Sequence, residues 1–301
     1  MNTLSALNRR EFVQTAATAA LAGFGGVRAA AAPRSKAPAG TGRHPVWVDV
    51  NVTLGRWPFR RLPFDETPAL VGKLRQQGVT AAWAGTFDGV FHHDLAAANA
   101  RLAEDCRRQG RGWLRPFGSV NPKLPGWKRD LQQCAEVHRM AGIRLHPTYH
   151  GYGLDDAAFA QLLVLAGRHR LIVQIVADLE DERTQHPLAR VPHANLQPLV
   201  PLLRAGTGAR VVVLNWARSA SLPLAKQLAE AGACLDIATV ENVGGVDNLV
   251  RQLSVNRVVF GSHAPLFYFE SAALKMQESA LTAETSRAIR ADNATRLLSP
   301  A

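Results

Sequence analysis

From Pro45 onward the chain alternates short apolar runs with longer amphipathic stretches. The apolar runs are Val46–Val50, Val79–Ala84, Trp113–Val120, Gly142–His146, Leu171–Val176, Arg210–Asn215, Ala233–Ala238 and Arg257–Gly261. Several are rich in β-branched residues and lack strict apolar–polar alternation. That is the pattern of strands covered on both faces, as in parallel sheets. The stretches between them carry helix punctuation. Thr67-Pro68 opens one and Gly78 closes it, Asp155 and Asp156 open another, and Ser221 with Pro223 opens a third that Gly232 closes. A last helical pattern runs from Thr282 to Leu298. Eight strand candidates alternating with helices predict a (β/α)8 barrel or a large doubly wound sheet. No Gly-x-Gly-x-x-Gly follows the first strand, which argues against a dinucleotide-binding sheet. The regular spacing favours an α/β fold of one domain, a (β/α)8 TIM barrel over residues 46–298.

The N-terminal segment breaks this pattern. Asn8-Arg9-Arg10-Glu11-Phe12-Val13-Gln14 closely resembles the twin-arginine export consensus. An Ala-rich apolar segment follows, and Arg28-Ala29-Ala30-Ala31-Ala32 offers small-residue cleavage sites. Residues 1–32 are therefore expected to be a signal peptide cut near Ala31 or Ala32, with the twin-arginine export machinery as partner and the periplasm as destination. Residues 33–45, rich in Pro, Gly, Ala and Ser, read as a flexible linker.

Composition narrows the function classes. The chain has 301 residues, 47% of them apolar, enough for one large core. The body has no apolar run long enough to span a membrane. The formal net charge of +11 is spread along the chain, without basic runs interleaved with aromatics and without helix-turn-helix or zinc-finger spacing. A nucleic-acid partner is not expected. A small-molecule substrate, anionic or not, is compatible with that charge. Cys106, Cys134 and Cys234 form no C-x-x-C and read as buried free thiols.

Candidate chemistry lies where strands end, since strand C-termini carry the site in parallel α/β folds. Arg257–Pro265 is a short buried strand running into the polar tip Ser262-His263. It resembles the Gly-Thr-Asp-x-Pro segment that closes the barrel of amidohydrolase-related proteins of the TIM-barrel metal-dependent hydrolase type. Gly142-Ile143-Arg144-Leu145-His146-Pro147 is similar to that family's fourth-strand motif, and Leu154-Asp155-Asp156 to the segment after it. Asp49-Val50-Asn51-Val52-Thr53 stands where the family has Asp-x-His-x-His, and Asp292–Leu298 matches its terminal Asn-Ala-x-Arg-Leu. Leu171–Val176 and Val211–Asn215 occupy the fifth and sixth strands, which in the family end in His.

The departures are systematic. Asn51 and Thr53 replace two histidines, Val176 or Gln174 a third, Asn215 a fourth, and His263 the last Asp. Amides and hydroxyls are poor zinc donors, so the resemblance implies the fold without the usual metal site. It also implies hydrolysis of a small amide, ester or lactone, or a related decarboxylation. His146 and His263 are the acid/base candidates, with Asp49 and Asn215 completing the catalytic set. Arg144, Asn51, Arg56, Trp57 and Tyr149 are substrate-binding candidates, and other polar groups at the same rim are His150, Asp178, Asp236 and Glu241. Glu180, Glu182 and His186 are candidates for a relocated divalent metal (Zn, Mn or Fe), or else part of a solvated charge run. His92 and His93 are adjacent and read as loop or cap residues. The competing class is a non-catalytic periplasmic ligand-binding protein on the same barrel.

Overall fold

A computed structural model of the chain describes residues 46–110 and 112–299. The signal peptide and linker readings lie outside the described residues. Eight parallel strands run in sequential order, β1 (Trp47–Leu54), β2 (Val79–Thr86), β3 (Leu114–Gly118), β4 (Gly142–Leu145), β5 (Ile172–Val176), β6 (Arg210–Leu214), β7 (Cys234–Asp236) and β8 (Val258–Val259). The segment after β8 returns to β1. The Val50 amide donates to the Phe260 carbonyl at 3.0 Å, and the Thr53 amide to Ala264 at 2.9 Å. The result is a single (β/α)8 TIM barrel with strands buried over most of their length, which is why they read as apolar runs without alternation.

Two apolar layers follow from the period-2 geometry of strands. Outward residues such as Ile143, Leu145, Val173, Ile175, Val211 and Val213 pack against the helices. Inward residues such as Val48, Val50, Trp83, Phe117, Ile172 and Val212 fill the barrel. The expected helix starts are present. Asp156 caps Ala157–Arg168 by accepting from the Ala158 amide at 2.9 Å, and Thr282 accepts from Thr285 at 3.1 Å. The tail departs from one uniform helix: Ala283–Arg287 and Asn293–Leu298 are joined by a π-helical turn, Ala288–Asp292. That turn presents the Ile289 carbonyl to the Phe260 amide at 3.0 Å, stitching the tail to the end of β8. The three cysteines are buried free thiols, and burial pushes Cys106 and Cys134 up to about 12. Among the described residues no helix is long and apolar enough to cross a membrane.

Candidate active site

The floor of the mouth is Arg144. On β4, Ile143 and Leu145 face the helices, so Arg144 and the next-but-one residue, His146, face inward. In β1 the register with β2 slips between Asp49 and Val52, and this bulge leaves backbone carbonyls in need of donors. Arg144 supplies them: Nη1 donates to the Val52 carbonyl at 2.8 Å and to Thr53 Oγ1 at 3.1 Å, and Nη2 to the Val50 and Trp83 carbonyls at 3.3 and 3.2 Å. Nε donates to Gln174 Oε1 at 2.8 Å, whose amide in turn donates to Val50 at 2.7 Å. Room for the guanidinium comes from Gly85, where a Cβ would sit 2.8 Å from Arg144 Cδ. Burial lowers the Arg144 pKa to about 10 against the pull of Asp49 and Asp236. All five N–H groups of Arg144, a substrate-binding candidate by sequence, are spent on the barrel.

The side of the mouth built by β1, β6, β7 and β8 is a closed hydrogen-bond network. Asp49 accepts from the Asn51 amide at 3.0 Å, the Ser262 amide at 2.9 Å and the Ser262 hydroxyl, tying β1 to the tip of β8. Burial raises the Asp49 pKa, and those bonds oppose the rise. Asn51 Nδ2 donates to Asn215 Oδ1 and to Asp236 Oδ2, each at 2.8 Å. Asp236 also accepts from the Asn215 amide at 2.9 Å, and burial lifts it to about 7. A Cβ on Gly261 would lie 2.7 Å from Asp236 Oδ2, so glycine is what lets β8 pass this carboxylate. Asn215 Nδ2 donates to the Asp178 carbonyl at 2.8 Å and to His263 Nδ1 at 3.2 Å. His263 Nε2 lies 2.8 Å from the Leu179 carbonyl, which can only accept. Nε2 therefore carries the proton and Nδ1 the lone pair, a neutral imidazole bonded on both sides. Burial holds its pKa at about 4. Asn215 and His263 both take left-handed backbone, with φ of 56° and 61°, strain of the kind that gathers at sites.

The β4 side is the opposite. His146 is 2% exposed, and among the described residues neither ring nitrogen has a hydrogen-bond partner. Burial, then the neighbouring His150, Arg144 and His263, hold its pKa well below the usual histidine value. His150 Nε2 meets the Gly89 carbonyl at 3.1 Å, while its Nδ1 is unpartnered and burial lowers it to about 4. The Tyr149 hydroxyl, Trp57 Nε1 and Glu180 Oε2 are also buried without partners. Each such group costs about 1–3 kcal/mol. Trp57 lies 5.1 Å from Phe87 and 5.3 Å from Phe91, and Phe91 lies 5.6 Å from Tyr149, centroid to centroid. The loops after β1, β2 and β4 thus meet in one aromatic cover.

The outer candidates separate. Arg56 pairs with Glu66 on the exposed surface and does not reach the mouth. Arg60, which the sequence did not single out, pairs with the buried Glu180; burial raises Glu180 and Arg60 opposes that. His186 stacks on Phe59 at 4.8 Å, and its Nδ1 accepts from the Leu188 amide at 3.2 Å. Glu182 is exposed.

The sequence pattern of the amidohydrolase family matches residues 43–299. The chain belongs to the amidohydrolase family. Several solved structures share the fold of this chain at low identity. One is a 5-carboxyvanillate decarboxylase from Sphingomonas paucimobilis, 11% identical, TM-score 0.64, covering 85% of this chain and 99% of that one. A second is a dihydroxybenzoic acid decarboxylase from Polaromonas, solved with manganese and 2-nitroresorcinol, 12% identical, TM-score 0.63, covering 85% and 97%. A third is a 2,6-dihydroxybenzoate decarboxylase from Rhizobium, 10% identical, TM-score 0.63, covering 84% and 98%. No curated protein sequence matches the chain.

Manganese in one neighbour makes metal fit a direct question for this chain. At the β1 and β6 tips the groups turned toward Asp236, Asp178 and His263 are the amide N–H donors of Asn51 and Asn215, and an N–H donor cannot bind a cation. Glu180 is committed to Arg60 and His186 Nδ1 to a backbone amide. Among the described residues no group of three or more His, Cys, Asp or Glu is placed to hold a metal ion. The donor set does not fit one. Sequence reading placed Asp236 at the rim without a role, although a lone acid inside the apolar run Ala233–Ala238 marks a buried carboxylate. Nothing in the sequence flagged Gln174 as the partner of Arg144.

Proposed function

We propose that the chain is an acid/base hydrolase of a small carbonyl substrate, working at the β4 side of the mouth without a metal at the family's usual positions. The observation that carries this reading is the His146 imidazole, buried at a strand tip with both nitrogens unbonded among the described residues and 5.9 Å from the His150 ring, whose Nδ1 also lacks a partner. A substrate or water would supply those partners. With its pKa held low, His146 is neutral near pH 7 and acts as a base. It would take the proton of the attacking water as that water adds to the carbonyl carbon of an ester, lactone or amide, then return it to the leaving group. Tyr149 and Trp57 offer donors to the carbonyl oxygen and a planar wall for the acyl group. Arg144, Asp49, Asn215 and His263 hold the frame and do not touch the reacting atoms.

Decarboxylation of a carboxylated arene is the second reading, favoured by what the structural neighbours are reported to do. It asks for a proton donor to carbon in the resting enzyme, and a His146 that is neutral near pH 7 carries no extra proton to give. In the same proposal Arg9-Arg10 directs the folded chain out of the cytoplasm, and replacing both by Lys should keep it inside.

The test is a panel of lactones, esters, amides and aromatic carboxylic acids offered to chelator-treated protein and to His146→Gln. Turnover of a carbonyl substrate that survives chelation and drops at least about 100-fold in His146→Gln supports the proposal. Full activity in His146→Gln, or activity that vanishes on chelation and returns with zinc or manganese, overturns it. Saturable binding without turnover would make the chain a ligand-binding protein.

A further inference from the structure

The opposite end of the barrel carries a second concavity. A cavity of about 440 Å³ opens among the N-terminal ends of β3, β4, β5 and β6. Its walls carry Arg107, Arg115, His138, Arg139, Arg170 and Arg210 and, among the described residues, no Asp or Glu. Below them Leu114, Met140 and Ile172 form a buried apolar floor. Arg107 pairs with Glu104. Among the described residues, Arg115, Arg139, Arg170 and Arg210 have no carboxylate partner. Arg210 is half-buried and held by the backbone carbonyls of Arg170, Leu297 and Ser299. Carbonyls fix its direction but leave its charge uncompensated.

Two of these cations stand on backbone that arginine disfavours. Arg139 and Arg170 have φ of 50° and 57°, each just before the strand that leads away from the cavity. Such left-handed positions after a helical segment are where glycine is preferred. Chain reversal alone gives no reason for a long cationic side chain at both.

We propose that this cavity binds a small amphiphilic anion, a carboxylate or phosphate head on an apolar body. The head meets Arg115, Arg139, Arg170 and Arg210, whose forked donors match such oxyanions. The body lies on Leu114 and Met140. This site is separate from the mouth and stands whether or not the hydrolase reading does.

The experiment is calorimetric titration of the full chain with decanoate, inorganic phosphate and decanol, repeated on Arg139→Gly and Arg170→Gly. Glycine suits both backbone positions, so melting temperatures at or above the parent value would show these variants folded. Arg115→Gln, on an exposed side chain, is the third variant. Saturable binding of one decanoate per chain, weakened tenfold or more in each glycine variant and in Arg115→Gln, is the expected result. Phosphate and decanol should each bind at least tenfold more weakly than decanoate. The proposal fails if decanoate shows no saturable binding, if the variants bind it as the parent does, or if phosphate binds as tightly. Retention on phosphatidylglycerol vesicles without decanoate binding would also overturn it, by making the face a membrane contact.

Discussion

The two halves of the barrel mouth use the same residue types to opposite ends. On the β1–β6–β7–β8 side, Asp49, Asn51, Asn215, Asp236 and His263 all bond to other parts of the protein. On the β4 side, His146, Tyr149, His150, Trp57 and Glu180 each keep a buried polar atom with no partner. A fully bonded network fixes geometry and resists change. Unbonded buried groups lower stability and persist where something else is meant to meet them. The comparison teaches that the positions most similar to a catalytic centre by sequence are here bonded into the protein, and the proposed chemistry lies beside them.

The largest effect expected is at the floor that both halves share. Arg144→Met should lower unfolding free energy by roughly 3–5 kcal/mol or prevent folding, because five acceptors lose a donor at once and only the Val50 carbonyl is shown to keep another, from Gln174. Urea denaturation measures it, and a loss under about 1 kcal/mol would mean the guanidinium is not a strut. Next, Asp49→Ala should cost about 3 kcal/mol, since two amides and a hydroxyl lose their acceptor. Parent-like thermal and urea stability would remove the clasp between β1 and β8.

A third effect is read in pH. His263 and His150 have folded pKa values of about 4, below the unfolded value, so they are less protonated folded than unfolded. Their contribution to stability is present above about pH 6.5 and is lost as pH falls toward 4. Asp236, raised to about 7, acts with the opposite sign: it holds its proton when folded and loses stability as pH rises from about 4 to 7. Asp236→Asn should therefore steepen the rise in stability between pH 4 and 6.5, by up to roughly 1 kcal/mol per pH unit. An unchanged slope would show that Asp236 titrates normally. The smallest effect is at the outer clasp. Arg60 is 39% exposed, so Arg60→Ala should cost about 1 kcal/mol or less, detectable as a small shift in urea midpoint. A much larger loss would place Glu180 in the frame rather than on the working side.

The fold was legible because its signals are local. Each of the eight apolar runs became a strand, and Asp156 and Thr282 cap the helices they precede. The roles at the mouth were not legible, because they are set by partners far away in the chain. Arg144 meets carbonyls 61 to 94 positions distant, and Asp49 meets Ser262 across 213. The β1 bulge that creates the need for Arg144 leaves no mark in Val50-Asn51-Val52. His146 and His263 looked alike as strand-end histidines. What separates them is whether a carbonyl and an amide from other strands happen to reach the ring, and no spacing rule encodes that.

The most direct measurement is the unfolding free energy of His146→Gln beside that of His263→Gln, by urea titration at pH 7. The account predicts that His263→Gln loses about 1–3 kcal/mol, through the orphaned Leu179 carbonyl and Asn215 amide, while His146→Gln stays within about 0.5 kcal/mol of the parent or above it. Equal losses, or a larger loss at His146, would contradict the division of the mouth into frame and working side.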